Sequence, residues 1–147
     1  MFKHILIPTD GSPTSAKAIK AGVALAKEMG ARVTGYHGVG AAPYGVYAEP
    51  IFLDGRLAAK VERAYRAVGE QYVAQIAKAA RAAGVKFDSL VARAEPTYEG
   101  ILDAARRRKC DVVFMASHGR RGFKGLLLGS VTHQVLTHSK IPVLVYR

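Results

Sequence analysis

Short apolar blocks alternate with stripes of helical period along the whole chain, and that alternation leaves few folds open. Residues 3–9 hold the compact block Ile5-Leu6-Ile7, stopped by Pro8-Thr9-Asp10-Gly11, the pattern of a strand buried on both faces. Ser12 then offers an N-cap oxygen, Pro13 suits the first helical position, and Ala16, Ile19, Val23 and Ala26 recur at helical spacing until Gly30 supplies a C-terminal stop. A weaker strand over 32–38, through Val33 and Tyr36, leads into a Gly/Pro-rich loop, 38–55, with Tyr44, Tyr47 and Phe52. Its length marks it as a candidate lid or partner surface. Leu57, Val61, Tyr65, Val68, Tyr72, Ile76 and Ala79 follow at intervals of three and four up to Gly84, predicting one long amphipathic helix whose tyrosines belong to the core. A third strand is expected over 87–93, a third helix over 96–108 with Ile101, Leu102 and Ala105 inward, and a fourth strand over 112–116. A short helix, 130–138, and a last strand, 143–146, close the chain. Five strands separated by helices predict right-handed crossovers and a doubly wound parallel sheet covered on both faces, as one domain over 1–147.

Composition narrows the setting. A chain of 147 residues supports one core and is too short for two, and its 50% hydrophobic content excludes disorder. No run approaches the ~18 apolar residues of a membrane span, and Ile5-Leu6-Ile7 is too short for the core of a signal peptide. The single Cys110 cannot form an intrachain disulfide, so the expected location is the cytoplasm. Lys and Arg total 22 against 11 Asp and Glu, giving +11, and residues 56–147 hold 17 of the basic groups against 7 acidic ones. Arg106-Arg107-Arg108-Lys109 and Arg120-Arg121 with Lys124 are the dense spots. A field of this sign favours a phosphate or polyanion ligand. Basic runs near helix C-termini equally complement the helix dipole, and no nucleic-acid motif accompanies them, which argues against that partner.

In open parallel sheets, ligands bind beyond the strand C-termini where the strand order reverses. Two loops qualify: Pro8-Thr9-Asp10-Gly11-Ser12 after the first strand, and the stretch from Ala116-Ser117-His118-Gly119 to Gly129-Ser130 after the fourth. The second suits anions, because Gly119 and Gly129 let backbone amides approach, Ser130 adds a hydroxyl and the helix behind it adds its positive end. The same glycines would also serve simple turns, and Asp10 would also serve as a helix cap. Lys124 is followed by Gly125 and leucines, so there is no Walker lysine with its hydroxyl. Gly38-Val39-Gly40 leads to Pro43 without an immediate helix, so the dinucleotide fingerprint fails as well. His118 is placed to position a ligand rather than to catalyse. His4, His37, His133 and His138 show no metal-ligand spacing, and Cys110 reads as a small core residue.

Pro8-Thr9-Asp10-Gly11-Ser12, then Ser117-His118-Gly119, nine residues, Gly129-Ser130, and the closing Ile141-Pro142-Val143-Leu144-Val145 together resemble the universal stress proteins. The likeness spans the chain. It implies a Rossmann-like sheet of the adenine-nucleotide alpha-hydrolase kind, in strand order 3-2-1-4-5. It also implies an ATP-binding regulatory protein without fast catalysis, with Mg²⁺ held through the phosphates where it accompanies ATP. By the same resemblance Asp10 meets the ribose, the backbone near Gly38 and Val39 meets the adenine, and Gly119, Gly129 and Ser130 meet the phosphates. Pro8, Thr9, Ala116, His118 and Val131 complete the expected nucleotide-binding set. Where the family motif opens with glycine this chain has Ala116, whose methyl narrows the approach if it points at the ligand. The alternatives are a member that binds protein or polyanion instead of nucleotide, and a slow ATPase. A homodimer through the last strand is expected, because that strand lies at the sheet edge.

Overall fold

The computed structural model describes residues 1–40, 55–119 and 128–147, with the backbone alone at 55, 57 and 58. The elements run β1 (His4–Pro8), α1 (Pro13–Met29), β2 (Arg32–Val39), α2 (Gly55–Ala83), β3 (Phe87–Arg93), α3 (Thr97–Arg107), β4 (Val112–Ala116), α4 (Ser130–His138) and β5 (Val143–Tyr146). All five strands pair in parallel in the order β3-β2-β1-β4-β5. Ile5 sits opposite Val33 on one side and Val112 on the other, so β1 is the centre of the sheet. A central parallel strand must be apolar on both faces, which is why Ile5, Leu6 and Ile7 run without alternation and are fully buried.

The helices form two layers. Ile5, Ile7, Val33, Val112 and Phe114 pack with Ile19, Val23 and Ala26 of α1 and Ile76 and Ala80 of α2. Leu6, Tyr36, Val113 and Met115 pack on the other face with Ile101, Ala104 and Ala105 of α3 and Val135 of α4. Local signals fix the ends of α1. Ser12 Oγ accepts from Ser15 N–H, Pro13 opens the helix, and Gly30 closes it in the left-handed region at φ 61°.

The face of α2 departs from expectation. Its buried positions among the described side chains are Gly69, Val73, Ile76 and Ala80, whereas Tyr65 is 42% and Val68 40% exposed, so these two do not belong to the core. Twenty-nine helical residues span ~43 Å, but the eight residues of β2 span only ~26 Å. The first half of α2 therefore overhangs the sheet and has no strand surface to rest on. Tyr44, Tyr47 and Phe52, in the loop read as a lid or partner surface, lie outside the described residues.

At the opposite end of the sheet, His4 is buried, its Nε2 sharing a 2.8 Å hydrogen bond with Thr34 Oγ1. Burial, seconded by the Arg32 charge, holds the imidazole below its ordinary pKa of 6.5. The unfolded chain then takes up a proton that the folded chain refuses. Stability is complete above about pH 6.5 and falls as pH drops through the window down to the folded pKa. Denaturation midpoints between about pH 5 and about pH 7.5 should rise less steeply in His4→Gln than in the parent chain. Equal slopes would show that His4 does not carry the effect.

Candidate functional site

β1 ends between two strands whose crossover helices leave on opposite faces, which opens a crevice at the strand C-termini. Thr9 closes off the strand there with every polar group engaged. Its N–H donates to Tyr36 O at 2.9 Å, and its Oγ1 accepts from Gly11 N–H at 3.2 Å and from Ser15 Oγ–H at 2.8 Å. Its carbonyl accepts from His37 Nδ1 at 2.8 Å. Gly11 holds φ at 76°, and the Tyr72 ring fills the space a Cβ would need there, so the turn is glycine on two grounds. Pro8, half-buried, is the last residue of β1.

Asp10 links the two loops. Its Oδ1 accepts from Ser12 N–H at 3.0 Å, an anchor that fixes the carboxylate, while Oδ2 lies where a Cβ of Gly119 would have to be. Gly119 is thus free of a side chain at the point where Asp10 reaches across from β1 to β4. Ser117 continues the second wall. Its N–H donates to Tyr146 O at 2.8 Å, its carbonyl accepts from Gly129 N–H at 2.8 Å, and its Oγ bonds His118 Nδ1 at 2.7 Å. Thr132 Oγ1 donates to Ala116 O at 3.0 Å. Gly129 is the N-cap of α4 and has no side chain with which to cap it, and the first-turn amides of Ser130 and Val131 lie at the crevice end of that helix. A Cβ at Gly129 would stand 3.4 Å from both His118 Cα and Ser117 O, an ordinary contact.

Gly38 and Val39 lie at the end of β2, beyond the last β1 pairing, Pro8 with Tyr36. Tyr36 O faces β1, accepting from Thr9, and Val39 O faces β3, accepting from Ala94 N–H at 3.0 Å. Because strand residues alternate sides, the N–H and C=O of Gly38 face the β1 side, past the point where β1 has turned away. Of the residues singled out in the sequence, Pro8, Thr9, Asp10, Gly38, Val39, Ala116, His118, Gly119, Gly129, Ser130 and Val131 all fall at this end of the sheet. The Ala116 methyl is 9% exposed and belongs to the α1-side core. Arg120, Arg121 and Lys124 lie outside the described residues. Ser15, His37 and Thr132 were missed, although Ser12-x-x-Ser15 is a local pair of hydrogen-bonding side chains, and Ser117 stood in the second loop without a role of its own. Among the described residues no group of three His, Cys, Asp or Glu could hold a metal, and no helix is long and apolar enough to cross a membrane.

Sheet order and crevice define a doubly wound α/β protein with a candidate ligand site at its switch point. The universal stress protein family matches residues 1–147, and the chain belongs to that family. Universal stress protein YxiE of Bacillus subtilis is 32% identical over 155 residues, covering 100% of both chains. Universal stress protein MJ0531 of Methanocaldococcus jannaschii is 31% identical, covering 100% of this chain and 83% of the relative. The solved protein MJ0577 of the same organism superposes at TM-score 0.77 with 30% identity, covering 99% of this chain and 95% of that one. More distant folds of the family include a complex with cAMP, at TM-score 0.65 and 21% identity over 99% and 97% of the two chains. A complex with dAMP, from Archaeoglobus fulgidus, aligns at TM-score 0.64 and 13% identity over 100% and 98%.

Proposed function

We propose that this chain binds an adenine nucleotide, ATP foremost, across the crevice and acts as a cytoplasmic regulatory protein rather than a metabolic enzyme. The observation that carries this is Asp10, anchored through Oδ1 to Ser12 N–H with Oδ2 set in the gap left by Gly119, near the Gly129 start of α4. The carboxylate accepts from ribose hydroxyls. The amides of Ser130 and Val131, at the positive end of α4, receive phosphate oxygens. The N–H and C=O of Gly38 form an adjacent donor and acceptor, the complement of N1 and the N6 amino group of adenine. Family members solved with cAMP and dAMP agree with that chemistry. Mg²⁺, where present, is held through the phosphates with Asp10 as the nearest carboxylate in this crevice. A homodimer forms through β5, a four-residue strand at the sheet edge whose outer backbone faces no strand among the described residues.

ATP at a hundredfold excess over its dissociation constant should stabilise the fold by about 2.7 kcal/mol, read as a thermal shift. Gly129→Val should abolish that shift. Asp10→Asn keeps the bond to Ser12 N–H but removes the charge, so it should leave the ligand-free melting point in place and weaken the shift. A full shift in Asp10→Asn would reduce Asp10 to a cap. Phosphate release from saturating Mg-ATP should fall far below the ~10 per second typical of enzymes, and a rate near that value would overturn the regulatory reading. Sedimentation at micromolar concentration should give twice the chain mass, a strictly monomeric mass removing the β5 dimer.

A further inference from the structure

We propose that His37 is a positioning residue that holds the base-binding edge of β2 open by taking, with its own side chain, a hydrogen bond that the β-ladder would otherwise claim. The inference rests on the adenine-nucleotide reading above and deepens it.

In a parallel pair, one residue of the first strand exchanges both of its backbone bonds with residues two apart on the second. Thr9 N–H donates to Tyr36 O, so the next bond of the ladder would run from Gly38 N–H to Thr9 O. That bond does not form, and the pairing of β1 with β2 stops at Pro8 and Tyr36. His37 Nδ1 reaches the Thr9 carbonyl instead, at 2.8 Å. A carbonyl oxygen only accepts, so Nδ1 carries the hydrogen and the neutral ring is the Nδ1–H tautomer. The Thr9 carbonyl is satisfied, as a poorly hydrated backbone acceptor must be, without using up the donor of Gly38.

The ring is held in that role by α2. Tyr72 meets it edge-on, with centroids 5.2 Å apart and planes at 69°. Gly69 lets α2 come down on it, since a Cβ there would stand 2.6 Å from His37 Cδ2. Tyr72 also fills the Cβ position of Gly11, so one tyrosine braces both the histidine and the turn that presents Asp10. His37 therefore sets two things together: that the Gly38 amide is available to a base, and how far that amide lies from Asp10.

Replacing the imidazole separates this role from a merely structural one. His37→Leu leaves the Thr9 carbonyl without the imidazole and lets Gly38 N–H close onto it, extending the ladder by one bond. The apo fold should then keep its melting point while the base edge is lost. His37→Asn places an amide donor where Nδ1 stood and should keep the edge open. Isothermal titration with AMP and with ATP should show the Leu variant weakened by about tenfold for both ligands alike, because the lesion is at the nucleoside end, and the Asn variant within about twofold of the parent. Amide exchange by NMR gives a readout that needs no ligand: Gly38 N–H should exchange slowly in His37→Leu and fast in the parent and in His37→Asn. An unchanged Gly38 exchange rate in the Leu variant overturns the inference whatever the affinities, and so does unchanged affinity for both nucleotides. A parent chain that binds neither nucleotide overturns the functional reading instead, and the exchange comparison still decides whether His37 holds the edge.

Discussion

The central strand of a parallel sheet pairs on both sides, and where it stops, two ladders of backbone groups end together in a place that water reaches poorly. Each donor and acceptor left there needs a local partner, and most of the site follows from how that need is met. Thr9 meets it on the β1 side through Tyr36, His37, Gly11 and Ser15, which at once fixes the turn and the start of α1. Ser117 and Thr132 meet it on the β4 side, tying β4 to β5, to Gly129 and to α4. Both walls of the crevice are consequently braced largely by the partners that satisfy these backbone groups. A ligand entering between them has little protein to reorganise, which lowers the cost of binding.

That geometry was only partly legible beforehand. Strand and helix identities came through because their signals are local: a continuous apolar block for β1, Ser12 and Pro13 before α1, Gly30 after it. The buried face of α2 did not, because periodicity shows which side of a helix is apolar and not how much of that side has a sheet beneath it. Tyr65 and Val68 continue the stripe in sequence and leave the sheet in space. The approach of Asp10 to Gly119 joins residues from opposite ends of the chain, and only the strand order brings them together. The Ala116 methyl was ambiguous for a related reason, since the direction of a strand's last side chain depends on register. His37 left no trace in the pattern, because a side chain substituting for a ladder donor depends on where the neighbouring strand stops.

The basic surplus separates into parts once positions are known. Arg106 and Arg107 both pair with Asp103 in the last turns of α3, and Arg108 pairs with Asp88 at 2.5 Å. These groups precede β4, at the strand N-termini, and so stand at the far end of the sheet from the crevice. At a helix C-terminus they complement the dipole, and as exposed pairs each is worth at most about 1 kcal/mol. Three of the four members of the densest cationic run among the described residues are therefore paired with Asp103 of α3 or Asp88 of β3, and the run gives the crevice no close positive charge.

What the crevice does offer has a direction. Asp10 contributes an anchored acceptor at one side, and α4 contributes its first-turn amides and the positive end of a helix at the other. On the proposed reading, a ligand with hydroxyl donors at one end and anionic oxygens at the other matches this polarity, and a nucleotide is such a molecule. Backbone amides hold phosphate oxygens in much the same way in the bound ground state as during transfer. Binding that is uniform between the two lowers the dissociation constant without lowering the barrier. Acceleration would need donors or cations aimed at charge that develops only in the transition state, together with a group that orients the attacking water. His118, at the crevice end of β4, has its Nδ1 bonded to Ser117 Oγ. On that reading the described groups of the crevice match a nucleotide's resting charge, an arrangement suited to holding the molecule.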